Sequence, residues 1–289
     1  MAENKYRLSE NKQCRLSDFT TVESDRPSDS EIEQNLLPTS IKRLKELHWK
    51  LHAEGKHGIA VVLQALDAAG KDEAISHIFS YLNAQGLKTT NYGKPSEDEQ
   101  KLDYLRRFHK GLPARGEIAI YNRSYYEEVI APRIHGLEHD GKMPEEAKEG
   151  DVWSRRFRQI NDFERYLHEN GFHVIKFFFH VSKEEQRKRL LKRMKDPEKK
   201  WEFSFNDVKE RAHWGEYEHV FEEMLTHTAT SYAPWHVLPA DDEAYSRYII
   251  AQEMIALLEE INPQFPDVDE KDQKKMDEAI DKLEKERSE

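Results

Sequence analysis

Apolar and polar positions follow one another along the chain in blocks of changing period, and those periods predict the elements. Residues 40–54 place Ile41, Leu44, Leu47, His48 and Leu51 at helical spacing behind Ser40, a natural N-cap, and predict a helix. From Gly58 to Leu66 the chain reads GIAVVLQAL, a β-branched apolar run of the kind buried on both faces in a parallel sheet. Similar runs occupy 87–92, 118–121 and 173–179, with a shorter one at 235–239. Helical patterns lie between them at 71–82, 96–109, 124–135 and 151–169, and longer ones follow at 183–195, 207–229 and 242–261. Strands alternating with helices predict an α/β fold around a five-stranded parallel sheet.

The two ends differ from this middle. Residues 1–35 are polar with little periodicity and read as an extended arm. The tail from Asp267 carries ten acidic and six basic residues around one thin apolar stripe of Met276, Ala279, Ile280 and Leu283. It predicts a charged, solvated helix or tail over 266–289, with partner binding as the alternative. Residues 36–265 between them are expected to form one domain.

Composition narrows the classes. The 289 residues include 13 Phe, 12 Tyr and 5 Trp, enough to build a core and to exclude disorder throughout. A net charge of −11 argues against a nucleic-acid or anionic-membrane binder. There is no apolar leader or ~20-residue apolar span. The lone cysteine, Cys14, sits among polar residues and can form no intrachain disulfide, as suits a reducing cytoplasm.

Chemistry first appears after the first apolar run, in Ala65-Leu66-Asp67-Ala68-Ala69-Gly70-Lys71-Asp72. A strand turning tightly into a helix at Gly-Lys is the pattern of a phosphate-binding loop. Backbone N–H groups of Ala68, Ala69, Gly70, Lys71 and Asp72 would cradle phosphate oxygens while Lys71 neutralises them. Ala65 stands where such loops carry Gly, and Asp72 where they carry Ser or Thr. Two carboxylates beside a polyanion would repel it unless a divalent cation intervenes, which makes Asp67 the expected metal-facing residue. The alternative is that either Asp caps the helix.

The second cluster closes the run at 118–121: Asn122-Arg123-Ser124-Tyr125-Tyr126-Glu127-Glu128. A polar cluster at the carboxyl end of a parallel strand lies where open α/β sheets bind ligands. Asn122 occupies the place of a metal-associated Asp. Arg123 can stabilise charge on a transferring phosphoryl group, and Glu127 can hold metal or acceptor. A surface salt-bridge cluster is the alternative. The third signal is a basic run: nine of the eighteen residues 183–200 are Lys or Arg. Arg189 and Arg193 are expected to share a helix face with Gln186, with Leu190, Leu191 and Met194 facing away. A solvated basic face competes with a polyanion contact there. Lys94 and Arg107 are further candidate chain contacts near the same pole.

LDAAGKD (66–72), LRRFHKGLPARGEIAIYNRSYYEEV (105–129), KFFFHVSKEEQRKRL (176–190), DPEKKWEFS (196–204) and YAPWHVLPADD (232–242) together resemble the polyphosphate kinase 2 family, in order and spacing across roughly residues 40–260. The resemblance implies a three-layer P-loop kinase fold similar to thymidylate kinase, with a mobile helical lid at about 183–210. It implies reversible phosphate transfer between inorganic polyphosphate and nucleoside mono- or diphosphates, with magnesium, or manganese in its place. Asn122 and Glu127, with Ala65 and Asp72, look like the branch that accepts both AMP and ADP; GMP and GDP are further candidates. Asp67, Lys71, Arg123 and Glu127 are then expected to carry catalysis, with Asp67 and Asn122 toward the metal. Asn122, Arg123, Tyr126, Glu127 and Arg133 would face the nucleotide. A homodimer or homotetramer is expected. Two rivals stay open: an ATP-donor kinase of the thymidylate kinase type, which should show the standard Gly and Ser/Thr in its loop, and a non-catalytic polyphosphate or nucleotide sensor.

Overall fold

The computed structural model of the chain describes residues 5–10, 12–136 and 144–286. The outermost parts of the expected arm and tail, 1–4 and 287–289, and residue 11 lie outside them. After the arm, a helical turn at Asp29–Glu31 and a π-helical stretch at Ile32–Leu36 lead into α1 (Leu37–Glu54). Next come β1 (Gly58–Gln64), α2 (Lys71–His77), β2 (Leu87–Asn91), β3 (Ile118–Asn122), α3 (Glu127–His135) and α4 (Val152–Glu169). The chain continues as β4 (Phe172–His180), α5 (Lys183–Lys195), α6 (Phe205–Glu210), α7 (Trp214–Thr228), β5 (Trp235–Pro239), α8 (Glu243–Ile261) and α9 (Glu270–Glu286).

The five strands are parallel in the order β2-β3-β1-β4-β5. Because β1 is central, successive residues alternate between two buried faces. Ala60 and Val62 point with Val174 and Phe178 toward α3, α4 and α7. Ile59, Val61 and Leu63 point with Ile175, Phe177 and Phe179 toward α1 and α8. This makes three layers, and it explains why the run at β1 reads as unbroken apolar residues. The connection reverses direction across β1, so the crevice at the carboxyl ends of β1 and β3 is the natural ligand position.

Three expected helices are shortened. The pattern at 96–109 gives only a 3-10 turn at Glu99–Lys101 and a single turn at Arg106–His109. There Ser96 and Glu99 cap each other's backbone, and Asp103 accepts from the Leu105 N–H at 3.0 Å, so side chains take bonds a longer helix would need. The pattern at 207–229 breaks at a 3-10 turn, Arg211–His213, between α6 and α7. α2 likewise ends at His77, before a 3-10 turn at Phe79–Tyr81.

The arm is less solvated than its composition suggests. Leu8, Cys14 and Leu16 are buried in the core. Arg7 forms an antiparallel bridge with His236, and Leu8 N donates to Trp235 O at 2.9 Å while Val237 N donates to Tyr6 O at 2.8 Å, along the outer edge of β5. Arg26 then pairs with Asp242 at 3.0 Å. By contrast α9 is exposed throughout, including Met276, Ile280 and Leu283. Among the described residues, no helix is long and apolar enough to cross a membrane.

Candidate active site

β1 delivers the chain into a loop that turns back on itself before α2. Gly70 sits at φ +107°, which a glycine adopts freely, but Ala68 sits at φ +60°. A left-handed alanine costs on the order of 1 kcal/mol, so the surrounding structure must hold it there. Lys71 opens α2 and folds its side chain back under the loop, donating from Nζ to Leu66 O (3.1 Å) and Ala65 O (3.3 Å). It is only 5% exposed. Burial pulls its pKa down, and the Asp67 carboxylate opposes that shift.

The end of β3 supplies the facing wall. Arg123 also sits in the left-handed region, at φ +63°. Its backbone N–H donates to Leu63 O at 3.2 Å and its guanidinium pairs with Asp67. Burial pushes the Asp67 pKa up, but Lys71 and Arg123 outweigh it, and the net shift is downward, so the carboxylate stays ionised. Asn122 donates from Nδ2 to Asp72 Oδ1 at 2.6 Å. Glu127, in the first turn of α3, accepts from Gln64 Nε2 at 2.6 Å. A cavity of about 440 Å³ opens here, bounded by residues 67–73, Asn91, Tyr92, Gly93, Asn122, Arg123 and Arg193.

The basic segment forms the roof. α5 is N-capped by Ser182 and ties itself to the loop through Gln186 Nε2, which donates to Asp67 O at 2.9 Å. Arg193 lines the cavity, with Glu202 3.7 Å from its Nε. Arg189 is anchored instead: its Nη2 donates to Ala240 O at 2.7 Å and its Nε lies 3.2 Å from both Glu185 and Glu243. Among the described residues its Nη1 is buried without a partner, and a Cβ placed on Gly70 would lie 3.7 Å from it, so one donor faces the loop. Leu190 does not face away as its spacing suggested. It is buried beside Gln186, because α5 packs its whole inward side against the domain.

Three expected contacts are engaged by other residues, and a fourth, Lys94, stays exposed beside the cavity. Tyr126 is fully buried, its hydroxyl donating to Glu164 at 2.8 Å, and so sits in the core rather than facing a nucleotide. Arg107 is buried and donates to Gly93 O at 2.8 Å and Glu128 at 3.2 Å; it supports the cavity rim from behind. Arg133 pairs with Glu223 and lies over the Trp153 ring at 5.4 Å, so its charge is already answered. Lys94 is exposed, next to Gly93 of the lining.

Sequence reasoning missed Gln64 and Asp207, and it put Gln186 on the face of Arg189 and Arg193 without giving it a contact. Asp207, on α6, is 8% exposed, and burial together with the nearby Asp67 charge pushes its pKa up. It lines a small second cavity of about 40 Å³ shared with Asp67, Arg123 and Glu127. A glutamine ending an otherwise apolar strand, and an acid just beyond the basic run, were the available signals.

Among the described residues no group of three or more His, Cys, Asp or Glu side chains could enclose a metal ion. Magnesium rarely needs such a cage: one or two carboxylates, water and substrate phosphates satisfy it. Asp67, which pairs with Arg123, Asp72, which accepts from Asn122, and Asn122 itself all line the cavity and provide hard oxygens of that kind, so the residues present fit magnesium.

The family model "Polyphosphate kinase 2" matches residues 27–266. An ADP-polyphosphate phosphotransferase of Rhodopseudomonas palustris is 37% identical, over 91% of each chain. An AMP/ADP-polyphosphate phosphotransferase of Meiothermus ruber is 40% identical, over 78% of this chain and 80% of its own. The crystal structure of polyphosphate kinase 2 from Arthrobacter aurescens TC1 superposes with a TM-score of 0.83 at 32% identity, covering 91% of each chain.

Proposed function

Because the chain belongs to the polyphosphate kinase 2 family, we propose that it transfers a phosphoryl group reversibly between inorganic polyphosphate and nucleoside mono- and diphosphates, with AMP and ADP as acceptors. The observation that carries this is the cavity at the carboxyl ends of β1 and β3, where Lys71, Arg123 and Arg193 converge on one small volume. The same lining carries Asp67, Asp72 and Glu73, so the three cations suit a chain of phosphates together with a divalent cation that offsets the carboxylates.

In this reading an oxygen of the acceptor's terminal phosphate attacks the terminal phosphorus of polyphosphate. A new P–O bond forms as the bridging P–O bond to the rest of the chain breaks, and the shortened chain leaves with the electron pair. Lys71 and Arg123 stabilise the negative charge that spreads over the transferring group, and Arg193 holds the donor from above. Asp67 keeps Arg123 oriented, and Glu127, held by Gln64, bounds the acceptor side. No side-chain nucleophile takes part; Cys14 lies in the core with its thiol pushed up to about 12, chiefly by burial. Asp67, Asp72 and Asn122 would hold magnesium, which supplies charge neutralisation between phosphates. We further propose residues 183–210 as the lid, a cytoplasmic location, and assembly as a homodimer or homotetramer, which sedimentation measures directly.

The deciding assay incubates the protein with polyphosphate, magnesium and AMP, ADP, GMP or GDP, and tracks products by ³¹P NMR. ADP and ATP should appear from AMP. Phosphorylation from added ATP but not from polyphosphate would overturn the proposal. In the same assay Asp67→Asn should lose activity and recover part of it as magnesium rises; a response to magnesium as flat as no metal role demands would make Asp67 a structural cap.

A further inference from the structure

A lysine interrupts the apolar strand β4. Lys176 is fully buried and forms an ion pair at 2.6 Å with Glu164 of α4, whose side chain is also 0% exposed. Its Nζ donates as well to Thr228 O (2.8 Å) and to the Tyr126 hydroxyl (2.9 Å). The other carboxylate oxygen, Glu164 Oε1, accepts from two hydroxyls, Tyr125 at 2.6 Å and Tyr126 at 2.8 Å. A buried ion pair is weak evidence for stability, because apolar residues of equal volume often stabilise as well or better. Its presence in the core therefore calls for another reason.

The two tyrosines that it grips are consecutive, and they separate Arg123 from Glu127 by one short turn. The residues on either side are tethered too. Ser124 is buried, with its hydroxyl accepting from Tyr126 N at 3.2 Å, and Glu127 accepts from Gln64. Arg123, at the head of this turn, stands in the strained left-handed region and survives there only if residues 124–127 are fixed. Backbone bonds fix the two ends of the turn, Arg123 N to Leu63 O at 3.2 Å and Glu127 N to Ser124 O at 3.0 Å, and the side-chain anchors hold what lies between them.

We propose that Glu164 is a positioning residue for phosphoryl transfer: through the Tyr125 and Tyr126 hydroxyls it holds the 123–127 turn in the conformation that presents Arg123 to the reacting phosphate. This rests on the role given to Arg123 above. Lys176 holds the Glu164 carboxylate in place, so that both hydroxyls have an acceptor of fixed geometry. Positioning of this kind acts on the transition state, where a small displacement of a charged group matters most, and little on ground-state binding.

Two variants separate a tether from mere stability, with kcat, both KM values and thermal unfolding measured on each. Tyr125→Phe with Tyr126→Phe removes the tethers and leaves the ion pair; kcat should fall at least tenfold while KM for polyphosphate and nucleotide moves less than about threefold. Glu164→Leu with Lys176→Met removes the acceptor together with its partner charge and leaves no unpaired charge in the core; its kcat should fall at least tenfold while both KM values again move less than about threefold, whatever its melting temperature does. Tyrosine variants within twofold of wild type, or losses in both variants that track their melting temperatures, overturn the proposal. Should the double Phe variant not fold, the single Phe variants carry the same test. Arg123→Ala is assayed alongside: if it stays active, the reading of the site itself fails, an outcome distinct from failure of the tether.

Discussion

The two ends of the same parallel sheet are built by opposite rules. At the amino end, turns that need positive φ use glycine: Gly55, Gly116 and Gly171 lie at +63°, +86° and +79°. These turns are closed by backbone bonds, Gly116 N to His57 O at 2.7 Å and Gly58 N to Gly171 O at 3.2 Å. At the carboxyl end, the positive-φ positions flanking the cavity include Ala68 and Arg123. The amino end minimises strain; the carboxyl end accepts it where a side chain or a loop of fixed shape is required. Stability and chemistry are thus assigned to different edges, and substitutions can pull them apart.

The largest effect expected is at the carboxyl end. Lys71→Ala should lower kcat by about 10²–10³, roughly 3–4 kcal/mol of transition-state stabilisation, with cooperative unfolding retained. A variant keeping a tenth of the wild-type rate would remove Lys71 from the mechanism. Next comes the comparison of glycines with non-glycines. Gly116→Ala should destabilise by about 1–3 kcal/mol with kcat unchanged in the folded fraction, because its Cβ would meet His52 O at 3.0 Å in a left-handed backbone. Ala68→Gly should do the reverse, stabilising by up to about 1 kcal/mol. Denaturant midpoints and rates measured together check both, and like signs would erase the contrast between the ends.

The roof gives a graded test. Arg189→Gln with Arg193→Gln should raise KM for polyphosphate severalfold and flatten its dependence on salt, since each lost phosphate contact lowers the slope. Nucleotide KM should move much less. Of the single variants, Arg193→Gln should account for most of the salt effect and Arg189→Gln for a fall in melting temperature, because Arg189 ties α5 to the β5–α8 turn. Equal salt slopes in wild type and double variant would leave the basic run a solvated face.

The smallest effect is at the amino end. His57 Nδ1 and His173 Nε2 lie 3.1 Å apart, and burial, then the neighbouring His57 and His168, push His173 down to about 4. The unfolded chain takes up a proton near pH 6.5, where the folded one does not, so stability should fall as pH drops from about 6.5 toward 4. After solvent screening about 1 kcal/mol is expected, and His173→Gln should flatten that part of the curve.

Much of this was legible in residue order. β1, β3, β4 and β5 announce themselves as short apolar runs, with the polar β2 the exception, and Lys71, Asp67 and Arg123 meet because parallel strands bring the ends of β1 and β3 side by side. What could not be read were choices made in three dimensions. Tyr126 and Arg133 are expected to face a nucleotide until Glu164, Lys176 and Glu223 arrive from distant segments to answer them. Arg189 and Arg193 are one turn apart and chemically alike, yet only packing against the β5–α8 turn decides that one is anchored while the other reaches the cavity. The α6–α7 break is likewise hidden, because the apolar pattern runs through it.

The arm along β5 has a consequence for solubility. A parallel sheet ends in a strand with unpaired N–H and C=O groups, a template on which another chain can add. Here the bonds from Leu8 and to Tyr6 occupy part of that edge, and the pairing of Arg26 with Asp242 keeps the segment in place. The opposite margin is β2, whose LKTTN sequence carries polar, partly exposed side chains in place of a cover. One border of the sheet is guarded by a strap and the other by its own composition, so a chain trimmed through residue 26 should lose the core contacts of Leu8, Cys14 and Leu16 and become prone to edge-to-edge association at high concentration.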